Sequence, residues 1–161
     1  MSRPASDRVQ SALAALERSQ LRRTPQRLAI VRAFVDDDTH PTAQQIFDRL
    51  RDSMPSMSFA TVYNTLDALE RAGSCRTLRL GNDSSARFDP HVAPHDHAVC
   101  RRCGAVRDVP QTRQATRARP AASPPLAGFD VQCVERVYHG VCADCARPRR
   151  STHAARSSST R

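Results

Sequence analysis

Along the N-terminal half of the chain, apolar side chains recur every three or four positions, as on one face of an α-helix. The first apolar stripe predicts an amphipathic helix built on Val9, Ala12, Leu13 and Leu16. A second helix is predicted to begin at Thr24-Pro25, because threonine is a good N-cap and proline suits the first helical position. Its expected core positions are Leu28, Val31, Phe34 and Val35.

Two further helices have recognisable starts and stops. Thr42 is followed three residues later by Gln45, which is a capping-box pattern, and the helix then buries Ile46, Phe47 and Leu50. Ser58 is the predicted N-cap of the last helix, and Gly73 is its stop. The apolar stripe of that helix is Phe59, Val62, Leu66 and Leu69, which leaves Thr61, Tyr63, Asn64 and Asp67 outside the core.

After Gly73 the pattern changes to that of a β-hairpin. Residues 75–80 and 85–88 predict two short strands around the turn signal Gly81-Asn82-Asp83. Helices followed by a hairpin are the element order of a winged helix-turn-helix. In such a domain the last helix enters the major groove of DNA, and the hairpin lies against the backbone. The predicted class is therefore α+β, beginning with a winged helix-turn-helix domain.

Composition supports a nucleic-acid partner only in part. The net charge is +9 over 161 residues, and every basic residue is arginine, which favours bidentate contacts with phosphate or carboxylate. However, the segment after Cys145 carries much of this excess, in Arg147, Arg149, Arg150, Arg156 and Arg161. DNA binding by the N-terminal half must therefore be argued from motif geometry rather than from bulk charge.

The cysteines point to a metal. No apolar run resembles a signal peptide or approaches a membrane span, so a soluble cytoplasmic protein is expected, in a reducing compartment. There, two Cys-x-x-Cys pairs favour a closed tetrahedral zinc site built from Cys100, Cys103, Cys142 and Cys145. Cys75 and Cys133 lack such spacing and are expected to be small buried residues.

A second set of ligand types precedes the first cysteine pair. His95 and His97 are two residues apart, so on a strand both side chains lie on the same face and can share one cation. Spacing alone leaves a metal site and an ordinary histidine pair both open. His91, His139 and His153 are expected to be exposed residues.

Taken together, the motifs resemble those of the ferric uptake regulator (Fur) superfamily of metal-dependent bacterial transcription factors, and most closely its peroxide-responsive branch. They occur in the family's order: Arg23-Thr24-Pro25-Gln26-Arg27, His40-Pro41-Thr42-Ala43, Ser58-Phe59-Ala60-Thr61-Val62-Tyr63-Asn64-Thr65-Leu66, Arg87-Phe88-Asp89, His95-Asp96-His97-Ala98-Val99-Cys100 and both Cys-x-x-Cys pairs. The implied organisation is a DNA-binding domain (1–88), a hinge (89–94), a small α/β zinc-stabilised dimerisation domain (95–147) and a disordered basic tail (148–161).

The resemblance also implies a regulatory site for Fe²⁺ or Mn²⁺, in addition to the structural Zn²⁺. It maps onto His40, Asp89, His95, His97 and Asp108. The implied mechanism is that metal fixes the angle between the two domains of a homodimer, which then represses by binding double-stranded DNA at a palindromic operator. Tyr63, Thr61 and Asn64 project from the last helix as candidates for base reading, and Arg22, Arg23 and Arg27 are candidates for phosphate contacts.

Several alternatives stay open. Aspartate at positions 89 and 108 resembles the peroxide sensors, in which a histidine ligand is oxidised (here His40 or His95), whereas iron- or manganese-responsive regulators of metal uptake tend to have glutamate there. A zinc hydrolase or deaminase is disfavoured because Asp96-His97 stands where a deaminase needs glutamate two residues after its histidine. A zinc-stabilised module that binds nucleic acid nonspecifically is a third possibility. Between Gln111 and Leu126, the proline- and arginine-rich run departs from the family and predicts only a short helix, over 111–119.

Overall fold

The computed structural model describes residues 4–80, 85–110 and 136–147. Four helices make up most of the N-terminal half: α1 (Ala5–Arg18), α2 (Pro25–Phe34), α3 (Ala43–Leu50) and α4 (Phe59–Arg71). They pack around one buried cluster, which includes Phe34, Ile46, Leu66 and Leu69. That cluster is formed by residues between Ala12 and Phe88, so this half of the chain has a hydrophobic core of its own.

The predicted helix starts are confirmed by their N-caps. The side chain of Thr24 accepts a hydrogen bond from the backbone N–H of Arg27 at the start of α2. At α3, the Thr42 hydroxyl accepts from the Gln45 N–H at 3.2 Å, and the Gln45 side chain accepts from the Thr42 N–H at 2.9 Å. The Ser58 hydroxyl likewise accepts from the N–H of Thr61 at the start of α4.

Two helices end in the same left-handed turn. After α4, Gly73 has φ +67° and its N–H reaches the carbonyl of Glu70, while the N–H of Ser74 reaches that of Leu69. This is the Schellman arrangement, in which the residue after the cap adopts a left-handed conformation that glycine tolerates best. After α1, Gln20 occupies the equivalent position with φ +61°.

One predicted core residue is on the surface. Phe59 was assigned to the buried stripe of α4, but 43% of its surface is exposed. It is the first residue of α4, directly after the Ser58 N-cap. Its ring instead contacts Phe47 edge-on and lies 6.4 Å from the ring of Tyr63.

A two-stranded antiparallel sheet follows α4. It pairs β1 (Arg76–Leu78) with β2 (Arg87–Asp89), with Thr77 opposite Phe88. Both strands are shorter than predicted, and β2 extends to Asp89 rather than ending at residue 88. The Phe88 N–H donates to the Pro41 carbonyl at 3.0 Å, so the segment before α3 is held against this hairpin. The predicted turn at 81–83 lies outside the described residues.

In the described part of the second half, three strands form a sheet in the order β4-β3-β5, with β3 (Asp96–Cys100) in the centre. The strand β4 (Val106–Val109) runs antiparallel to β3, and β5 (Val137–Gly140) runs parallel to it. A single-turn helix, α5 (Ala143–Ala146), closes the described chain. The helix predicted at 111–119, Cys133 and the predicted tail (148–161) lie outside the described residues.

The predicted α+β class, with a winged helix-turn-helix followed by a small α/β unit, is confirmed by this element order. Within the described ranges, no helix has the length and apolar character needed to cross a lipid bilayer. What matters for the site is that β2, β3, β4 and the segment before α3 meet at one place between the two halves.

Candidate metal centres

The four cysteines of the two Cys-x-x-Cys pairs come together at one end of the second sheet. Cys100 ends β3, Cys103 follows in the turn to β4, and Cys142 and Cys145 lie at the start and inside of α5. Their Sγ atoms all lie within 4.8 Å of one another, and those of Cys103 and Cys142 are 3.7 Å apart. A tetrahedral zinc ion with Zn–S bonds of about 2.3 Å separates its sulfurs by about 3.8 Å. The cluster therefore has the dimensions of such a site.

The backbone around Cys100 favours its thiolate. The N–H groups of Cys142 and Cys103 donate to the sulfur of Cys100 and lower the pKa of that thiol to about 6. In contrast, hydrogen bonds with the sulfurs of Cys142 and Cys103 raise the pKa of Cys145 to about 12. Four adjacent thiolates repel each other unless a cation compensates their charge, so the donor set fits Zn²⁺. Each cysteine that the structure describes is a free thiol.

The second centre is formed by residues from four separate segments. His40 precedes α3, Asp89 ends β2, His95 and His97 lie at β3, and Asp108 lies on β4. His97 and Asp108 are direct partners across the β3–β4 ladder, so the strand register itself places an imidazole opposite a carboxylate. His40, Asp89 and His97 are almost completely buried.

The side-chain donors of this centre converge. Donor atoms of His40, His95, His97 and Asp108 all lie within 4.8 Å of one another. Asp108 Oδ1 is 2.7 Å from His40 Nε2 and 3.3 Å from His95 Nε2, and the Nε2 atoms of His95 and His97 are 3.0 Å apart. Asp89 joins through both oxygens, with Oδ2 3.1 Å from His95 Nε2 and Oδ1 3.8 Å from His40 Nε2. Neighbouring ligands of one cation are spaced about 3 Å apart when metal–ligand bonds are about 2.1 Å.

Several of these buried atoms lack hydrogen-bond partners of correct geometry among the described residues. They are both ring nitrogens of His40, Nδ1 of His97, Oδ2 of Asp89 and Oδ1 of Asp108. Orphaned buried polar atoms are costly and uncommon, so their clustering calls for a ligand. Three imidazoles and two carboxylates without a thiolate suit Fe²⁺, Mn²⁺ or Zn²⁺. The residues therefore fit a divalent transition metal.

A hydrogen bond to the backbone fixes the orientation of the His95 imidazole. His95 Nδ1 lies 2.7 Å from the carbonyl oxygen of Ala93, which can only accept, so Nδ1 carries the proton. The lone pair of neutral His95 is then on Nε2, which faces the other donors. Burial, together with the neighbouring imidazoles of His95 and His40, lowers the pKa of His97 and favours its neutral, ligating form.

His40 also has a strained backbone. Its φ is +54°, in the left-handed region that few non-glycine residues adopt, although asparagine, aspartate and histidine are enriched there. The conformation is held from both sides, because the His40 carbonyl accepts from the Arg87 guanidinium at 3.3 Å and the Pro41 carbonyl accepts from Phe88. The N-terminal half thereby presents its one imidazole to ligands of the second sheet.

Sequence reasoning did not include His91 in this centre. It was expected to be an exposed loop residue, but only 37% of its side chain is accessible, and its Nδ1 lies 2.8 Å from Asp108 Oδ2. Although burial raises the pKa of Asp108, hydrogen bonding from His91 and the charges of His40 and His95 more than offset this, so that pKa is lowered. The spacing of His91 two residues after Asp89 was the available signal. His139 is exposed on β5, and Cys75 is buried, as predicted.

Of the three candidate DNA-contacting side chains on α4, Tyr63 and Asn64 are exposed and Thr61 is half-buried. Tyr63 is 49% exposed beside Asn64, and Phe59 extends the same face one turn earlier. Thr61 is half-buried, and its hydroxyl is 2.8 Å from that of the Ser58 cap. Phe59 was missed as a member of this face, although its position four residues before Tyr63 on a helix indicated it.

The three candidate arginines differ in their contacts. Arg23 forms a two-point ion pair with Glu17, with N–O distances of 2.6 and 3.1 Å. Arg27 donates to the carbonyl of Arg22 at 2.8 Å. Arg22 itself is exposed. Of the three, Arg22 therefore has the guanidinium least engaged by the described residues, and a phosphate contact by any of them stays a prediction.

The chain matches known proteins in sequence and in fold. The sequence profile of the Ferric uptake regulator family matches residues 18–123, more than half of the chain. The chain belongs to the ferric uptake regulator family. It is 35% identical over 139 residues to the peroxide-responsive repressor PerR of Staphylococcus aureus strain Mu50, a match that covers 85% of this chain and 90% of that protein.

Solved structures agree on the fold. The ferric uptake regulator Fur of Helicobacter pylori, described as having three functional metal-binding sites, superposes with a TM-score of 0.73 and 18% identity, covering 92% of this chain and 99% of that one. A zinc uptake regulator in complex with zinc and DNA superposes with a TM-score of 0.59 and 24% identity, covering 89% and 96%. These similarities show that the whole two-part architecture is that of the family.

Proposed function

We propose that this protein is a metal-dependent DNA-binding repressor. Its His/Asp centre binds a divalent metal ion and senses peroxide through that ion. The observation that carries the proposal is the position of His40. Its Nε2 lies 2.7 Å from Asp108 Oδ1, and its ring centroid lies 5.2 Å from that of His97, so one centre joins the DNA-binding half to the second sheet. The family is named for a regulator, and the PerR relative is a repressor.

The proposed regulatory ligands are His40, Asp89, His95, His97 and Asp108, and the proposed structural zinc ligands are Cys100, Cys103, Cys142 and Cys145. When bound, Fe²⁺ or Mn²⁺ would supply the positive charge that holds the His and Asp ligands together. Fe²⁺ would also supply an electron that reduces peroxide. The chain itself supplies the geometry. His95 keeps its proton on Nδ1, His97 stays neutral, and the left-handed turn at His40 keeps that ring between the two carboxylates.

The coupling to DNA follows from which elements carry these ligands. His40 directly precedes the capped start of α3, and α3 packs on α4, which presents Tyr63 and Asn64. Holding His40 against β3 and β4 therefore fixes α4 relative to the second sheet. In a homodimer, that orientation sets the distance between two copies of α4, and a palindromic operator requires one particular distance.

An experiment on DNA alone can test this proposal. Binding sites selected in vitro from random duplexes, with the zinc-loaded full-length protein and Mn²⁺, should converge on an inverted repeat. Footprinting should then show a discrete protected site that disappears when Mn²⁺ is removed. Protection that spreads along any duplex and ignores Mn²⁺ would instead favour a nonspecific nucleic-acid-binding module.

Peroxide sensing has its own test, because the second candidate is an iron- or manganese-responsive regulator without it. Aspartates at positions 89 and 108 and the identity to PerR favour the peroxide sensor. Treatment of the Fe²⁺ form with peroxide should add oxygen to the peptide that contains His40 or His95, and the Mn²⁺ form should remain unmodified. Mass spectra without added oxygen on either peptide would leave the metal-responsive repressor as the better description.

A further inference from the structure

His91 contacts both carboxylates of the His/Asp centre. It lies between β2 and β3, two residues after Asp89, and its backbone N–H donates to Asp89 Oδ1 at 2.7 Å. Its ring Nδ1 lies 2.8 Å from Asp108 Oδ2. A carboxylate oxygen accepts hydrogen bonds and does not donate them when ionised, so the ring carries its proton on Nδ1. One residue therefore donates to a carboxylate from β2 and to a carboxylate from β4.

These two hydrogen bonds divide the carboxylate oxygens into two sets. Asp89 Oδ1 and Asp108 Oδ2 accept from His91, whereas Asp89 Oδ2 and Asp108 Oδ1 have no hydrogen-bond partner of correct geometry among the described residues. The latter two oxygens are the ones nearest to His95 Nε2, at 3.1 and 3.3 Å. His91 thus occupies one oxygen of each carboxylate. The other oxygen of Asp108 lies within 4.0 Å of Nε2 of all three imidazoles, and the other oxygen of Asp89 lies 3.1 and 3.7 Å from Nε2 of His95 and His97.

The two carboxylates need this support to different degrees. Asp89 is fully buried and ends a strand, so its side chain is confined by packing. Asp108 has 27% of its side chain exposed and borders a cavity of about 500 Å³ that His91 also lines. Without the ring of His91, the Asp108 side chain is free to rotate toward that solvent-filled space. The ring is thus best placed to restrain Asp108.

We propose that His91 is a positioning residue of the regulatory site, which holds Asp108 and Asp89 with one oxygen each directed at the bound divalent cation and so slows release of that cation. The proposal rests on the function proposed above, because it assumes that a metal binds there. His91 acts through the carboxylates and not as a ligand. Hydrogen-bonded partners of metal ligands orient them, and losing such a partner costs about 10- to 100-fold in metal affinity.

The test compares substitutions that keep or remove the donated hydrogen bond. His91→Ala removes the ring but retains the backbone N–H to Asp89. His91→Asn keeps an N–H donor close to the position of Nδ1. Val92→Ala is the matched control, because the Val92 side chain lies on the same loop and is 44% exposed. Mn²⁺ binding to each zinc-loaded full-length protein is measured by titration calorimetry, and its release by chelator-chase kinetics.

The expected result is that His91→Ala weakens Mn²⁺ binding about tenfold or more and speeds release, at unchanged zinc content and thermal midpoint. His91→Asn should recover most of the loss, and Val92→Ala should match the parent. The proposal is overturned if His91→Ala binds Mn²⁺ like the parent while His40→Asn loses binding, a result that leaves the proposed function intact. It is also overturned if the Asn variant is as weak as the Ala variant, because the donated hydrogen bond then does not account for the effect of the ring. A parent protein that binds no Mn²⁺ would contradict the proposed function itself.

Discussion

At the scale of single residues, the His/Asp centre depends on two histidines in unusual settings. His40 is a buried imidazole on a left-handed backbone, and His91 spans two carboxylates from a loop. The resemblance to a known family indicated His40, but neither its strain nor the role of His91 follows from spacing. Both depend on β4 and the segment before α3 meeting at the same point, which only the three-dimensional arrangement determines.

Tyr63 is the residue on which the DNA contact can be tested. Its side chain is half-exposed and makes no core contact that α4 requires, so Tyr63→Ala should fold normally. We expect its affinity for a selected operator to fall about tenfold or more, corresponding to ~1.4 kcal/mol. Tyr63→Phe removes only the hydroxyl and so distinguishes its contribution to binding from that of the ring. Gel-shift titration measures the effect, with zinc content as the control for folding, and an unchanged affinity for Tyr63→Ala would remove this residue from the interface.

At the scale of elements, the helices were predictable and the strands less so. Thr24, Thr42 and Ser58 act as caps because side-chain capping is a local interaction. Strand ends depend on partners far along the chain, which is why β2 extends to Asp89 while β1 stops at Leu78. Phe59 was misplaced for a related reason: helical periodicity identifies a face, but not how far the covering helices extend.

Substitutions at the two left-handed helix ends should change the free energy of unfolding in opposite directions. Gly73→Ala should destabilise the protein by about 1 kcal/mol, because its φ of +67° strains any residue with a Cβ even where space is open. Gln20→Gly, at the same position after α1, should relieve that strain and stabilise by about 0.5 kcal/mol. Urea denaturation of the zinc-loaded protein measures both. Equal signs for the two changes would contradict this interpretation of the helix ends.

At the scale of the whole molecule, the two halves are stabilised differently. The N-terminal half has a cluster of buried apolar side chains, whereas the described part of the second sheet buries few, and the sulfur cluster joins the ends of β3 and α5. The spacing of the cysteine pairs predicted this cluster, because a Cys-x-x-Cys turn is a local feature. A bound metal would help to stabilise a unit of that small size.

Removing zinc should therefore separate the stabilities of the two halves. Cys103→Ala is suitable because Cys103 is exposed and leaves no core cavity. Cys75→Ala, in the N-terminal core and outside the sulfur cluster, is a cysteine control for zinc content only. We expect Cys103→Ala to lose zinc and the unfolding transition of the second sheet, while far-UV circular dichroism still reports the helices. Cys75→Ala should keep its zinc. Loss of the helices together with the zinc would mean that the N-terminal core is not stably folded without the second half.

The central claim is that the His/Asp centre joins the two halves and makes DNA binding depend on a divalent metal. The most direct measurement is the operator affinity of the zinc-loaded parent and of His40→Asn, each with and without Mn²⁺. Asparagine tolerates the left-handed backbone at position 40 and removes the imidazole, so the fold is retained while the ligand is lost. The account predicts that Mn²⁺ tightens binding by the parent about tenfold or more and leaves His40→Asn unchanged, within the usual range of coupling between sites. An equal response of both proteins to Mn²⁺, or no response from the parent, would contradict it.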